Sequence, residues 1–590
     1  MAKDTQQQPV TLLHGDASDM SKVEKLKRAS QGLFWVAGRE RHSFAEEIDA
    51  LGRGDAKTLS NEAKEISKHF GIYKQQEREA GRKSGDYSFM VRLKLPAGGE
   101  LSPEQWLALD LGAERFSDGR LRLTTRQGVQ LHRVHGPDLG PLIRHINQEY
   151  ADRGTRMTTL GACGDINRNT MCSPIDDLDA ELPLASSELA RAIAAELSPR
   201  AGADSYYQIF LTDEQGARLA PMGSDEPIYG TQYLPRKFKV GIAHPNDNSV
   251  DLLTQDVGLM PVVNGGLAAE YDLYSGGGLG ITHNQEKTRQ LLGLYLGRLP
   301  RPQVVEAVKG IAILQNENGE RKDRRQARWK YTIRRLGTEA VARALRERFG
   351  VELKQAVPQP LPPVRYLHGW HEQAGGDARL YLCLPIENGR IHDNGSQRLR
   401  SAVREIVSEI RPGVRITPNQ DLLLCHIPAA RRERVEELLG QHGVPEIAAI
   451  SRTRRQAFAC PALPTCGLAM TEAEGILPEY IQAIEAAGLG DVDVIIRMAG
   501  CPNGCSRPPT AEIGIYGYGK NDHVIQVGGA RNGSRIGAVL YARVPEAHMT
   551  DVLIGLLRAI RDSNPTGLPA GEFLHRTPPE QLRQLVGVEL

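Results

Sequence analysis

Apolar residues along this chain follow helical spacing in some stretches and strand spacing in others. Residues 43–71, SFAEEIDALGRGDAKTLSNEAKEISKHFG, carry apolar side chains at helical spacing with glycines near the ends, which predicts helices in the N-terminal part. Further on, a strand, a glycine turn, a helix and a strand are predicted twice in the same order. The first set runs from FMVRLKLPAGGELS (89–102) to GRLRLTTRQGVQLHRV (119–134), and the second from RLYLCLPIENGRI (379–391) to GVRITPNQDLLLCHI (413–427).

The repeated order predicts an internal duplication, in which each copy is an α/β unit followed by a larger α/β segment. Four prolines within residues 358–363 predict an extended linker over 355–366 between the copies. The period is far too long for a solenoid repeat. The expected fold class is therefore α/β (α+β), with units at 1–85, 86–160, 161–354, 367–440 and 441–590.

One predicted strand, over 121–133, carries only polar side chains on one of its faces. Because alternate residues of a strand share a face, this face would hold Arg122, Thr124, Arg126, Gln130 and His132, with Gly128 between them. It contains no acid, whereas solvated faces usually mix acids with bases. The matching strand of the second copy reads Arg415, Thr417, Asn419 and Asp421, and has lost most of the cations. This difference predicts that the first copy binds a large anion.

Further cations lie in the same half of the chain. Arg92 and Lys94 share a strand face, and Lys237 and Lys239 share another in PRKFKV (235–240). Arg168 lies in GDINRNTMC (164–172), where the asparagines favour a turn. Arginine binds oxyanions through paired hydrogen bonds and lysine through its point charge. Each of these residues alone is more often a surface charge, so an anion site requires that they converge.

Four of the eight cysteines are clustered, in CPALPTC (460–466) and CPNGC (501–505). Zinc sites favour two to four residues between paired cysteines, so the five-residue gap fits zinc poorly. Four thiolates are also the ligand set of iron–sulfur clusters. The spacing favours a cluster, with a zinc site and unligated buried thiols as the alternatives.

Composition and charge exclude several classes of protein. The chain has 590 residues and a formal net charge of +1, so no overall field attracts nucleic acid or a membrane. It has neither a secretory apolar segment nor a run of about 18 apolar residues, and we expect a cytoplasmic location. Two glycine runs, 275–280 and 528–533, lack the spacing of a dinucleotide site and are predicted as turns between strands.

Four motifs together resemble one family. CPALPTC with GCPNGC resembles the cysteine signature of the sulfite and nitrite reductases that contain sirohaem and a [4Fe–4S] cluster, and RLTTRQ, DINRN and LPRKFK resemble three more of its motifs in the same order. The resemblance covers about residues 21–590. It implies ferredoxin-like half-domains at 86–160 and 367–440, a sirohaem-binding domain at 161–354 and a domain that binds both cofactors at 441–590.

The resemblance also implies a role for each matching residue. The cluster ligands would be Cys460, Cys466, Cys501 and Cys505, with Cys505 also the axial thiolate of the sirohaem iron. Residues matching the sirohaem-binding strand are Arg122, Thr124, Arg126, Gln130 and His132, with Arg328 and the turn residue Asn503 as further cofactor contacts. The four cations that bind the oxyanion and supply protons would be Arg92, Arg168, Lys237 and Lys239.

The activity implied is that of the assimilatory sulfite reductase haemoproteins, the six-electron reduction of sulfite to sulfide. Lys239 favours sulfite, because plant-type nitrite reductases typically have asparagine there; a ferredoxin-dependent sirohaem nitrite reductase, forming ammonia, is the runner-up. Electrons would come from a separate NADPH-dependent flavoprotein or from ferredoxin, docked on residues 1–85 or on the cluster side. A non-catalytic iron–sulfur or zinc protein is the third possibility, but it leaves the acid-free strand face unexplained. No nucleic acid or membrane partner is expected.

Overall fold

The computed structural model describes residues 19–30, 44–75, 78–79, 82–83, 87–151, 158–199, 226–230 and 232–590. Parts of the N-terminal segment predicted to dock a partner, including 1–18 and 31–43, lie outside the described residues. Helices and strands are mixed along the chain, which confirms the predicted fold class. Within the described residues, no helix is long and apolar enough to cross a lipid bilayer.

The secondary structure elements are numbered here in chain order. The described helices are α1 (Lys22–Ser30), α2 (Phe44–Arg53), α3 (Asn61–Ser67), α4 (Pro103–Phe116), α5 (Gly136–Ala151), α6 (Ser186–Glu196), α7 (Val304–Asn318), α8 (Trp329–Leu336), α9 (Thr338–Phe349), α10 (Leu399–Ile410), α11 (Arg432–Gln441), α12 (Arg452–Arg455), α13 (Leu477–Ala486), α14 (Met549–Asp562), α15 (Ala570–Arg576) and α16 (Pro579–Val586). The described strands are β1 (Ile72–Gln75), β2 (Arg78–Glu79), β3 (Arg82–Lys83), β4 (Ser88–Lys94), β5 (Leu121–Leu123), β6 (Gly128–Val134), β7 (Met171–Cys172), β8 (Val240–Ile242), β9 (Val257–Asn264), β10 (Leu267–Ser275), β11 (Leu294–Pro300), β12 (Gly369–Glu372), β13 (Arg379–Leu384), β14 (Arg390–Ile391), β15 (Asp393–Asn394), β16 (Gln397–Arg398), β17 (Gly413–Ile416), β18 (Leu422–Pro428), β19 (Ala457–Ala459), β20 (Ile496–Ala499), β21 (Ile513–Gly519), β22 (Asp522–Val527) and β23 (Ala538–Pro545).

Two antiparallel sheets repeat the same strand order, which confirms the predicted duplication. One is ordered β1–β4–β6–β5 and the other β12–β13–β18–β17. The two copies are joined directly, because β14 of the second copy extends the first sheet beside β5. Helices α4 and α10 also pack together. There Arg400 and Arg404 of α10 form ion pairs with Asp110 of α4 at 2.6 and 2.5 Å.

The strand predicted over 121–133 is a hairpin, so that prediction was wrong. Strands β5 and β6 are joined by a turn in which the Thr124 N–H donates to the Gly128 carbonyl at 2.9 Å and Gln127 has a φ of +50°. The second copy has the same turn, with Thr417 bonded to Asp421 at 3.0 Å and Gln420 at a φ of +72°. All four residues from 124 to 127 are polar, and because polar residues occur both in turns and on strand faces, periodicity does not reveal the reversal of the chain.

Two larger mixed sheets also share one architecture. They are ordered β7–β8–β9–β10–β11 and β19–β20–β21–β22–β23. In each, the first three strands are parallel and the last two antiparallel. One apolar core joins the first larger sheet to the antiparallel sheets, and a second core lies around β19–β23. Both glycine runs lie between strands, as predicted, after β10 and after β22.

The predicted N-terminal helices and the proline-rich segment are present. Helices α2 and α3 cover most of residues 43–71, and α2 buries Phe44, Ile48 and Leu51. Residues 355–366 contain no helix or strand. This segment lies against the larger sheets, since the Val364 N–H donates to the Arg531 carbonyl at 2.9 Å.

Candidate active site

The four clustered cysteines lie on two loops beside the second larger sheet. Cys460 directly follows β19, and Cys501 follows β20 after one glycine. Because β19 and β20 are adjacent and parallel, both loops leave the same edge of the sheet. The Gly500 N–H donates to Cys460 Sγ at 3.4 Å, and the Asn503 side chain donates to Cys501 Sγ at 3.4 Å. Asn503 therefore contacts a cysteine of the predicted ligand set.

The thiols are close enough to alter one another's ionisation. Burial raises the pKa of Cys501 to about 11, and the Cys505 thiol adds to this shift. Burial also raises the pKa of Cys460, with further contributions from Cys505, Cys501 and Cys466. No three His, Cys, Asp or Glu side chains among the described residues converge closely enough to hold a single metal ion. The four thiols thus lie on two neighbouring loops and affect one another, and four thiolates are the ligand set of iron–sulfur clusters.

Cys505 is the exposed member of this set and lies at the junction of the two halves of the chain. Its carbonyl accepts a hydrogen bond from the Thr125 hydroxyl at 3.0 Å. Burial alone would lower the pKa of Arg168, but neighbouring phenol, thiol and carboxyl groups, Cys505 among them, raise it. On the other side, the Ile281 N–H donates to the Pro502 carbonyl at 3.0 Å. The first half of the chain therefore contacts the Cys501–Cys505 loop at two places, through Thr125 and Ile281.

Polar side chains form a row across the first antiparallel sheet. Gln130 of β6 lies opposite Arg92 on one side and Arg122 on the other. With its amide oxygen toward β4, Gln130 accepts from Arg92 Nε at 3.0 Å. Its amide group lies 3.4 Å from His132 Nε2. Arg92, Arg122, Gln130 and His132, all predicted site residues, therefore share one face of the sheet. They are brought together by the pairing of neighbouring strands and not by alternation along a single strand.

Arg122 already uses its donors within the protein. Nε binds Glu474 at 3.3 Å, Nη1 donates to the Leu123 carbonyl at 2.8 Å, and Nη2 donates to the Ala459 carbonyl at 2.9 Å. Arg390 shares the Glu474 carboxylate at 2.7 Å. Arg122 thus ties the polar row to the residue before Cys460. A direct contact between Arg122 and a cofactor stays a prediction, and it would require one of these bonds to be exchanged.

Thr124 and Arg126 lie in the hairpin turn and not on a strand. The Thr124 hydroxyl accepts from the backbone N–H groups of Arg126 and Gly128 at 3.3 and 3.2 Å. The Arg126 side chain reaches the first larger sheet, where it donates to Gln255 Oε1 at 2.8 Å and to the Val240 carbonyl at 3.3 Å. Burial lowers its pKa to about 9. The Nε atom of Arg126 is buried and has no partner in the described part of the chain.

Arg168 and the two lysines lie on neighbouring extended segments. Lys237 and Lys239 flank Phe238, which forms a parallel bridge with Asn167. The Arg168 N–H donates to the Phe238 carbonyl at 2.9 Å. Arg168 is positioned by this bridge and not by the predicted asparagine turn, because the turn ends before Arg168 begins. Extended backbone places Lys237 and Lys239 on the same side, as predicted.

The two lysines face a pocket of like charge. Burial lowers the pKa of Lys237 well below its ordinary value, and Lys239 and Arg168 lower it further. The pKa of Lys239 is also lowered, first by burial and then by Arg126 and Arg328. Neither ammonium group forms a hydrogen bond or ion pair with a described residue. Their mutual effects bring Lys237 and Lys239 together with Arg168, Arg126 and Arg328.

Arg328 belongs to the same pocket and not to a basic helix surface. It precedes α8 and is buried, with Nη2 at 3.1 Å from both carboxylate oxygens of Asp256. Its Nε is buried and has no partner in the described residues. Asp256 partly offsets the positive charge of this pocket. The Nε donor of Arg328 still lacks an acceptor among the described residues.

Sequence analysis missed three residues of the site. Tyr73 lies on β1, where burial and Cys163 raise its pKa while Arg168 and Arg92 oppose the shift. Thr125 would lie on the face of the predicted single strand opposite Arg122, but its hydroxyl donates to the Cys505 carbonyl. Nothing in the local sequence marks Asp256. Tyr73 could have been found only from the pairing of β1 with β4. That pairing places Tyr73 opposite Met90, two residues from Arg92.

The donors without partners indicate what the pocket can hold. Two ammonium groups and the Nε atoms of Arg126 and Arg328 have no partner among the described residues, and Arg168, which acts electrostatically on both lysines, is itself affected by the exposed Cys505. Buried donors normally have acceptors, so a ligand rich in carboxylates or another oxyanion would complete the site. Sirohaem fits this donor set, and the neighbouring thiols fit a [4Fe–4S] cluster.

Comparisons with known proteins agree with this arrangement. The family model described as the nitrite and sulphite reductase 4Fe-4S domain matches residues 163–353, and the nitrite/sulfite reductase ferredoxin-like half domain matches 81–158 and 371–442. The first match contains Arg168, Lys237, Lys239 and Arg328 but none of the four clustered cysteines. This is expected if the two larger sheets are copies of one ancestral domain.

Full-length relatives cover nearly all of the chain. It is 37% identical to a protein of Geobacillus kaustophilus named sulfite reductase [NADPH] hemoprotein beta-component, covering 94% of this chain and 95% of the relative. It is also 37% identical to a protein of Synechococcus elongatus named sulfite reductase [ferredoxin], covering 96% and 90%. The solved structure of the Mycobacterium tuberculosis NirA protein superposes with a TM-score of 0.72 at 20% identity, covering 94% of this chain and all of that one, which supports the fold.

Proposed function

The chain belongs to the nitrite and sulphite reductase family, and from this premise we propose that it reduces sulfite to sulfide at a sirohaem coupled to a [4Fe–4S] cluster. The observation that carries the proposal is that the exposed Cys505 acts electrostatically on Arg168, which acts in turn on Lys237 and Lys239, two lysines whose ammonium groups have no partner among the described residues. The proposed cluster ligands are Cys460, Cys466, Cys501 and Cys505. Cys505 also serves as the proposed axial thiolate of the sirohaem.

The residues proposed to hold the sirohaem are those around the polar row and the hairpin turn. Arg126 and Arg328 have free Nε donors for its carboxylates. Gln130, His132, Thr124 and Asn503 are proposed as further contacts, and Arg122 would join them by exchanging one of its present bonds. Burial, Arg390 and Arg122 lower the pKa of His132 well below its ordinary value, so His132 would act as a neutral hydrogen-bonding group.

When bound, the two cofactors would supply electrons one at a time. The protein side chains would bind the sulfite anion and supply the protons. Reducing sulfite to sulfide consumes six electrons and about seven protons, so anion binding and proton delivery must share one pocket. Arg92 and Arg168 are proposed to hold the oxyanion. Lys237 and Lys239 have lowered pKa values, so they release protons more readily than ordinary lysines, while an entering anion favours their charged form. They are the proposed proton donors to the oxygens that leave as water.

The proposed choice of sulfite over nitrite rests on Lys239. Sulfite is the larger and more highly charged anion, and a second lysine beside Lys237 adds one more cation to the pocket. The relatives described above are named as sulfite reductases, which supports the same choice. Nitrite remains a candidate side substrate, because its reduction to ammonia also takes six electrons and requires proton delivery to the departing oxygens.

The proposed electron donor is a separate protein, an NADPH-dependent flavoprotein or ferredoxin. The two relatives differ on this point in their names. We place the docking site on the N-terminal segment or on the cluster side. There the loop after Cys460 exposes 71% of Leu468 and borders a cleft of about 530 Å³ lined partly by Arg120, Arg133 and Arg455.

Absorption spectroscopy of the purified holoprotein tests the cofactor proposal. We expect a Soret-type band and a chlorin-like band in the red, since sirohaem is a reduced tetrapyrrole. Absence of both bands from protein loaded with iron and sirohaem would overturn it.

Steady-state turnover tests the substrate and the donor. With reduced methyl viologen as a donor that needs no docking, kcat/KM for sulfite should exceed that for nitrite, and a strong preference for nitrite would make the runner-up correct. Replacing the dye first by an NADPH-dependent flavoprotein and then by reduced ferredoxin identifies the donor class.

A further inference from the structure

Two arginines and one aspartate form a buried group behind the cysteine loops. Asp251 Oδ2 accepts a hydrogen bond from Arg497 Nη1 at 2.7 Å and forms an ion pair with Arg507 Nη1 at 2.8 Å. All three side chains are almost fully buried. Both guanidinium groups also lie over the Phe458 ring, at 5.2 and 5.8 Å from its centroid. We call these residues, Arg497, Asp251 and Arg507, the charge triad.

The charge triad carries one more positive than negative charge. The other acceptors of Arg507 are the neutral carbonyls of Ser249 and Pro418, both at 2.7 Å. Arg497 binds the Thr510 hydroxyl at 3.2 Å. Nearby Asp247 is already bonded to hydroxyl and backbone N–H groups, including the Ser173 and Ser249 hydroxyls at 2.6 Å. Arg507 therefore shares its direct carboxylate partner, Asp251, with Arg497, and the charge of Asp247 acts on it from beyond ion-pair distance.

The triad is attached to three of the four cysteine ligands. Arg507 is two residues after Cys505, Arg497 is four before Cys501, and Phe458 is two before Cys460. A buried cation is costly unless an anion lies near it. The anion that this position provides is the group held by the thiolates, whose net charge becomes more negative on reduction. The surplus charge therefore stabilises the reduced form more than the oxidised form.

We propose that the charge triad is a set of positioning residues that raises the reduction potential of the cluster, with Arg497 and Arg507 raising it and Asp251 lowering it. The inference rests on the proposed cluster ligation by the four cysteines. Net charge is one of the protein's means of setting the potential of an iron–sulfur cluster. A surplus cation beside the ligand loops would thus favour transfer of electrons from the external donor into the chain.

Redox titration of the holoprotein, followed by EPR of the reduced cluster, tests the sign of each charge. Arg507→Gln keeps hydrogen bonding but removes the cation, and we expect the equilibrium constant for cluster reduction to fall about tenfold, or 59 mV for one electron. Asp251→Asn should shift the potential in the opposite direction. Asn suits this position, because Asp251 has a φ of +48° and asparagine tolerates the left-handed region.

Three further variants separate charge from structure. Arg507→Lys keeps the charge and should stay within threefold of the wild type, and the double variant Arg507→Gln/Asp251→Asn should return close to it. Arg298→Gln is the matched control, since Arg298 forms a buried ion pair with Asp272 at 2.8 Å in the other larger sheet. Its loss should leave the potential unchanged. Arg497→Gln provides an independent test if Arg507→Gln fails to fold.

The outcomes distinguish the two proposals. If the wild type loaded with iron and sulfide gives no cluster signal, the proposed function fails. If the signal is present but Arg507→Gln and Asp251→Asn shift the potential in the same direction, or not at all, the inference about the triad is wrong. A shift in Arg298→Gln equal to that in Arg507→Gln would also overturn it.

Discussion

Replacing Asp165 by asparagine should loosen helix α1 from the active-site half of the chain. Asp165 lies in the DINRN motif, three residues before Arg168. Its carboxylate lies 3.3 Å from Lys27 Nζ on α1, 2.9 Å from Arg324 Nη1 and 3.6 Å from Arg236 Nη1. Three cations from separate segments therefore meet at one buried carboxylate, and Lys27 also pairs with Glu24 on its own helix.

The magnitude follows from the burial of this group. Removing one partner of a buried ion pair costs about 3–5 kcal/mol, because the remaining charge stays buried. Burial alone would raise the pKa of Asp165, but Lys27, Arg324 and Arg236 hold it well below its ordinary value. A depressed folded-state pKa stabilises the protein at pH values above the unfolded value of about 3.9, and this contribution is lost only as pH falls through the lower folded value. At pH 7 the variant therefore loses all of it.

Hydrogen exchange measured by mass spectrometry on peptides from α1 reports the local effect. A loss of about 3–5 kcal/mol corresponds to exchange faster by about two to nearly four orders of magnitude. Asp323→Asn is the matched control, since Asp323 pairs with a half-exposed Arg325 at 2.8 Å. An exposed pair contributes up to about 1 kcal/mol, so exchange should rise by about fivefold at most. Equal exchange rates in the two variants would refute the reasoning.

Three further substitutions give measurable outcomes. Lys239→Asn should lower kcat/KM for sulfite by about 10²-fold, the usual effect of losing one charge-stabilising donor, and lower that for nitrite less; equal losses would argue against a role in substrate choice. Cys505→Ser should abolish the coupled absorption and EPR signature, and an intact signature would disprove the axial assignment. Gly277→Ala should lower the thermal inactivation temperature by several degrees, because the new Cβ would lie 2.1 Å from the Leu253 carbonyl. Gly440→Ala in α11 meets nothing within 4 Å and should be neutral or slightly stabilising, so a similar loss there would contradict the argument.

The duplication could be predicted from the sequence because it repeats local signals. The matched pairs Arg122/Arg415 and Thr124/Thr417 occupy equivalent places in two hairpins, with Thr124 and Thr417 at the start of identical turns. The side chains of the polar row were also assigned to one face. Their arrangement was wrong in detail, since pairing between strands, and not spacing along one strand, places Arg122 beside Gln130.

Long-range electrostatics could not be predicted from the sequence. Arg122 binds Glu474 and Arg328 binds Asp256, and each pair joins residues far apart in the chain. Local patterns contain no information on which acid meets which base when the sheets pack. For the same reason, the convergence of Lys237 and Lys239 with Arg126 required the fold, although each cation was identified beforehand.

The two larger sheets show why the cofactors need both copies. Cys460 donates its backbone N–H to the Met498 carbonyl at 3.1 Å, and Ser173, after β7, donates to the Ile242 carbonyl at 3.0 Å in the same way. Ser173 thus takes the place of a cluster cysteine in the first sheet. There its hydroxyl bonds to Asp247, which satisfies both groups without a metal. The clustered thiols lie in the second copy and Lys237, Lys239 and Arg168 in the first, and Cys505 lies where the two halves of the chain meet.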